Sequence, residues 1–110
     1  MNKYRDKSDF EISLCVAQII FNDSEYDVIK QSMEVVKFQN GNGKGICHVF
    51  DPCNNPADAM PIINEYGISL IYQEGEFQFA TNDENYYSGV SNPLKAAMVI
   101  FLMIKDAEDE

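Results

Sequence analysis

FDPCNNPADAMPII, residues 50–63, joins a strand exit, a rigid turn and a helix entry. Asp51-Pro52 ends the strand, because proline fixes φ and has no N–H to give to a ladder. Cys53, Asn54 and Asn55 form a short polar bridge. Asn55-Pro56 reads as an N-cap followed by proline at the first helical position, where an N–H would go unbonded anyway. The helix then spans about residues 56–66, with Ala59, Ile62, Ile63 and Tyr66 as its buried stripe and Gly67 as its natural stop. Pro61 removes one intrahelical bond, so either the helix starts near Asp58 or a kink is built in.

Upstream, Ser8-Asp9-Phe10-Glu11 fits the S-x-x-E capping box. The helix it opens runs to about residue 20, with Phe10, Leu14, Ala17 and Phe21 on the face a sheet would bury. Residues 22–27 read as a polar turn and 32–39 as a strand. NGNGKG, residues 40–45, is the strongest turn signal in the chain and predicts a hairpin. The return strand, 46–50, is apolar on both faces and is expected to be central in its sheet.

Downstream, residues 68–72 and 77–81 read as strands around a Glu74-Gly75 turn, and Tyr86-Tyr87 adds a short fifth. Asn92-Pro93 repeats the cap-plus-proline device and opens a last helix, to about residue 105. Only Lys95 is polar between Leu94 and Ile104. A helix apolar all round is buried on several sides, either in a core or at a subunit interface. The element order predicts an α+β class, a mainly antiparallel sheet of four to five strands packed with about three helices. The 110 residues make one domain, with 1–7 and 106–110 expected to fray.

Six tyrosines, seven phenylalanines and an apolar fraction of 45% predict a real core rather than disorder. The net charge of −10 disfavours binding to a nucleic-acid backbone, so no nucleic-acid partner is expected. Three cysteines show neither CxxC nor His-Cys metal spacing, so no metal and no cofactor is expected. MNKYRDKSDF, residues 1–10, lacks the apolar core of a signal peptide, and reduced thiols in a cytoplasm are the simplest expectation. The apolar run 96–104 would rise about 14 Å as a helix, short of a roughly 30 Å hydrocarbon core, so no membrane partner is expected either.

The candidate site gathers at the two helix entries. Asp51, Cys53, Asn54, Asn55 and Asp58 stand at one, and Ser91 and Asn92 at the other. Free N–H groups at helix N-termini bind anions, and neighbouring amides read hydroxyls or base edges. Ordinary capping explains Asn55 and Asn92 equally well. Tyr86 and Tyr87 offer rings for stacking, although strands favour aromatics in any case. Gly41 to Gly45 fails as a P-loop, since a strand follows it and Ile46 stands where Ser or Thr belongs. Cys53 precedes a helix N-terminus, which favours a thiolate, with His48 and Asp51 nearby in sequence. Packing at a tight turn is the commoner role for such a cysteine, and no catalytic residue is assigned.

FDPCNNPADAMPII together with NPLKAAMVIFLM (92–103) and SDFEISLCVAQII (8–20) resembles the NinX-like family of small bacteriophage proteins. That family is similar to the group called the phage α-β-α sandwich domain. The resemblance implies a phage accessory protein with helices on both sheet faces, working in the cytoplasm of an infected host. It implies no catalytic residues. The function expected on this footing is counter-defence, by sequestering a nucleotide-derived host immune signal as a homodimer or larger oligomer. An acidic protein-binding inhibitor of a host enzyme or defence complex is the alternative. A small hydrolase using Cys53 or Asp51 comes third.

Overall fold

The computed structural model describes residues 3–38, 47–82 and 86–108. Its elements run α1 (Asp9–Ile20), β1 (Tyr26–Ile29), β2 (Glu34–Phe38), β3 (Cys47–Phe50), α2 (Pro56–Tyr66), β4 (Ser69–Gln73), β5 (Glu76–Thr81), β6 (Tyr87–Ser88) and α3 (Pro93–Glu108). The class is α+β, as expected. The strands do not form one sheet of four or five. They form two antiparallel sheets of three, ordered β1-β2-β3 and β4-β5-β6. The reason is local: α2 separates the two groups, and each group pairs only with its sequence neighbours, which closes the shortest loops.

The helix ends follow their caps. Ser8 Oγ accepts the Glu11 N–H while Glu11 Oε1 accepts the Ser8 N–H, completing the capping box of α1. Asn55 Oδ1 accepts the Ala57 N–H to start α2, and Gly67 ends it at φ 63°. Pro61 lies inside α2 on its exposed side, so the helix begins at Pro56 and carries the proline within it. The α1 face differs from expectation. Ile12, Ser13, Val16 and Ala17 are its buried residues, and Phe10, Leu14 and Phe21 are only half-buried. The buried face lies about one residue out of phase with the expected one, because apolar side chains cover most of this helix.

Two further readings are corrected. Tyr26–Ile29, placed in or beside a polar turn, is a strand paired with β2, and Met33 belongs to the intervening turn at φ 55°. β3 is not central. It forms an edge of its sheet, with Cys47, His48 and Val49 exposed and only Phe50 buried. The apolar pairing of its two faces therefore marks an unpartnered outer surface rather than a doubly covered strand. The expected turn 40–45 lies outside the described residues. Glu74 and Gly75, at φ 54° and 82°, form the two-residue turn expected between β4 and β5.

α3 is the centre of the molecule. Every residue from Ala96 to Leu102 is buried, and the helix packs against α1, α2, β4, β5 and β6. Its all-round apolarity is thus met by the chain's own elements, with Phe101 edge-on to Tyr66 at 4.9 Å between centroids. α1 in turn packs on β2. The contacts run sheet, α1, α3, sheet, so helices stand between two small sheets instead of flanking a central one. The ends are also tied. Tyr4 is buried in the core and its hydroxyl donates to Asp106, which raises the phenol well above its ordinary value through burial and that bond.

Candidate functional site

The corner at residues 51–58 is built from three places in the chain. After Phe50, the N–H groups of Asn54 and Asn55 both donate to the Asp51 carbonyl, at 3.1 and 2.8 Å, which folds the turn tightly. Pro52 and Cys53 are sealed inside it. Asn54 is the hub. Its Nδ2 donates to Asp9 Oδ2 at 3.0 Å and to the Asp51 carboxylate, while its Oδ1 accepts from Asn92 Nδ2 at 3.0 Å. Asn92 Nδ2 also donates to the Cys53 carbonyl at 2.7 Å. Its Oδ1 accepts the Leu94 N–H at 3.1 Å and so caps α3. The starts of α1 and α3 are thereby stitched to the turn that opens α2.

Asp58 faces inward from α2. One carboxylate oxygen accepts the Asp51 N–H at 2.9 Å and the other pairs with Lys37 on β2 at 3.2 Å. Lys95 pairs with Asp9 at 3.1 Å. The Asn54 amide, aided by Lys95 and opposed by burial, holds the Asp9 carboxyl below its usual range. Asp9, Lys37 and Lys95 belong to this cluster and carry no signal in the sequence, because the bonds that bring them in, Lys37 to Asp58, Asn54 to Asp9 and Lys95 to Asp9, join residues far apart in the chain.

The setting of Cys53 disfavours the thiolate. Burial pushes its thiol up to about 12, outweighing the Ser13 hydroxyl at 3.8 Å that favours the thiolate. Its Sγ points at the Asp9 carbonyl, 3.7 Å away, and no hydrogen bond joins it to His48 among the described residues. No group of three or more His, Cys, Asp or Glu side chains among the described residues could hold a metal ion. The space beside the corner measures about 130 Å³ and is lined by Asp9, Glu34 and Asp51, among others. That is below the range of small-molecule pockets, and its carboxylates repel anions.

The remaining candidates lie elsewhere. Ser91 is exposed just ahead of the α3 cap. Tyr86 is half-buried against the core, its N–H bonded to Asn82 Oδ1 at 3.1 Å and its carbonyl accepting the Thr81 hydroxyl. Tyr87 is 63% exposed, with its ring 5.6 Å from that of Phe79. Among the described residues no hydrogen bond or ring contact links either tyrosine to the corner. Tyr87 instead lines a second cavity of about 440 Å³, together with Arg5, Asp6, Ser88, Gly89 and Val90. Arg5 and Ser88 carried no signal in the sequence, being 83 positions apart.

The family model described as Bacteriophage P22, NinX matches residues 3–105, nearly the whole chain. The chain belongs to that family. The NinX match spans the entries of all three helices and both sheets. No curated protein and no solved structure matches this NinX-family chain. No helix among its described residues is long and apolar enough to cross a membrane.

Proposed function

We propose that this phage protein acts by binding rather than by catalysis, and that it sequesters a small nucleotide-derived molecule of the host's immune signalling. The observation that carries this reading is the cavity beside Tyr87. Its volume of about 440 Å³ falls within the range of small-molecule sites, and it offers an exposed ring on which a base can stack. The burial that raises the Cys53 thiol argues against a hydrolase that uses Cys53. The corner, with its amides already bonded to one another, serves this reading as scaffold. A homodimer or larger assembly, formed at a strand edge rather than through α3, would suit a sequestering protein.

The direct test is native mass spectrometry of the protein purified from infected cells, followed by identification of whatever heat releases. A bound nucleotide-derived species is the expected result. An empty protein that nonetheless blocks host defence would overturn the reading.

A second reading, inhibition of a host protein, is favoured by the outer face of β1-β2-β3. Pairing aligns Asp27, the buried Val36 and the exposed Val49 on that face, with Ile29, also exposed, opposite Glu34 beside them. Val49 is 46% exposed, and Met33 protrudes from the adjoining turn. An apolar patch bordered by carboxylates suits a partner surface that is apolar with basic neighbours. Val49→Lys would then abolish inhibition while leaving the fold intact.

A further inference from the structure

Where β2 starts and β3 ends, a slot of about 130 Å³ opens beside the first turns of α1. Its walls are of two kinds. Phe10, Met33, Val35, Val49 and Phe50 are apolar, whereas Asp9, Glu34 and Asp51 carry carboxylates. Acidic residues are common in this chain, but these three share an apolar floor. Val35 and Phe50, paired in the β2-β3 ladder, are buried at 1% and 3% exposure. Lys95 offsets Asp9 at 3.1 Å, and no basic side chain lines the slot among the described residues. Acceptor capacity remains as well. A carboxylate offers about four lone-pair positions. Glu34 uses one on the Ser32 hydroxyl at 2.7 Å, and Asp51 shares the single Asn54 amide nitrogen between its two oxygens.

The mouth of the slot is open and apolar. Met33 and Val49 are 57% and 46% exposed, and Ile29, opposite Glu34 on β1, is 42% exposed. β3 is the edge of its sheet, so no described strand covers the approach. Methionine is an adaptable wall, able to repack around what it meets.

We propose that the slot and its rim dock a partner protein through one lysine or arginine side chain that projects from an apolar patch. The aliphatic stem lies along Phe10, Met33 and Val49, and the cationic head meets Glu34 and Asp51 in charge-assisted hydrogen bonds. Charge and size decide the occupant. The carboxylates repel an anion, and the space is well short of the roughly 300 Å³ at which small-molecule sites begin. The apolar rim extends beyond the slot, where a free amine would leave it uncovered and a protein surface covers it. The inference is independent of the nucleotide reading. It rests on the second reading above, inhibition of a host protein, and adds what that partner presents.

A displayed library of random peptides, selected on the full chain, tests it. Enriched peptides are expected to carry lysine or arginine flanked by apolar residues. The tightest of them, made synthetically, is then titrated into three variants whose substitutions are not buried and should keep Tm. Glu34→Gln should weaken it by about fivefold, the scale of one part-exposed ion pair, and Val49→Lys should abolish binding. Glu65→Gln, which removes an exposed carboxylate on α2 away from the slot, should change nothing. The proposal is overturned if no peptide is enriched, or if the enriched peptides lack a basic residue. Equal weakening by Glu34→Gln and Glu65→Gln, the mark of general attraction to an acidic protein, also overturns it. So does a dimer that Val49→Lys turns into a monomer, which would assign the surface to a second copy. In each case the inhibition reading stands if Val49→Lys still abolishes the block on host defence, and falls if the block survives.

Discussion

Two polar regions of this chain look alike in composition and differ in what their groups have left to do. At the corner, Asp9, Asp51, Asn54, Asp58, Asn92 and Lys95 are all bonded to one another or to backbone. In the cavity beside Tyr87, Arg5 has no carboxylate within reach among the described residues, and the Tyr87 ring is exposed. Polar density therefore accompanies scaffold in the first region, whereas the second, the proposed site, keeps groups free to meet a ligand. A ligand competes poorly for donors that are already satisfied, because binding would first have to break bonds inside the protein.

The sharpest way to break this comparison is to cut the corner. Asp58→Ala should cost about 3 kcal/mol, because it strips a buried acceptor from the Asp51 N–H and leaves Lys37 without its partner. Urea unfolding measures it. Asn92→Ala should cost about 2 kcal/mol, through the lost α3 cap and the lost bonds to Cys53 and Asn54. Asn54→Ala, at a more exposed hub, should cost about 1 kcal/mol. If any of these variants keeps its stability but loses ligand, the corner is a site after all.

Acid should act on the corner in a predictable direction. The folded Asp9 carboxyl titrates below its unfolded value, so its contribution is present above about pH 4 and is lost as pH falls through the lowered folded value. The Asn54 amide is the largest cause. Asn54→Ala should therefore flatten the acid limb of the stability curve, while Ser88→Ala leaves it unchanged. Thiol chemistry gives a smaller, cleaner contrast. Cys47 is exposed on an edge strand and should alkylate first in the native protein, whereas Cys53 should stay unmodified until the chain unfolds. Peptide mass spectrometry after brief iodoacetamide treatment reads this.

How much of this was legible follows from the range of each signal. The caps of α1 and α2 were readable because Ser8 with Glu11 and Asn55 with Pro56 act within a few residues. The Glu74-Gly75 turn was readable for the same reason. The split into two sheets was not, since nothing local to a strand says whether it pairs across α2 or only with its sequence neighbours. β3 was misjudged because apolar residues on both faces are equally consistent with a covered strand and with an exposed sticky edge. Apolarity all round α3 predicted burial correctly but not by what, and the chain's own elements supply it. The corner's polar residues were readable as a cluster. Their mutual satisfaction was not, because Asn54 meets Asp9 across 45 positions and Asn92 across 38.

The central claim, scaffold at the corner and site at the cavity, is tested most directly by a paired measurement on Asn54→Ala and Tyr87→Ala. The ligand released from wild-type protein is titrated into each variant, and Tm is recorded in the same samples. Asn54→Ala should lose stability and keep its affinity within about twofold, whereas Tyr87→Ala should keep Tm and weaken binding by about tenfold, the scale of a lost stacking contact. The reverse pattern, with affinity lost in Asn54→Ala and kept in Tyr87→Ala, would contradict the account.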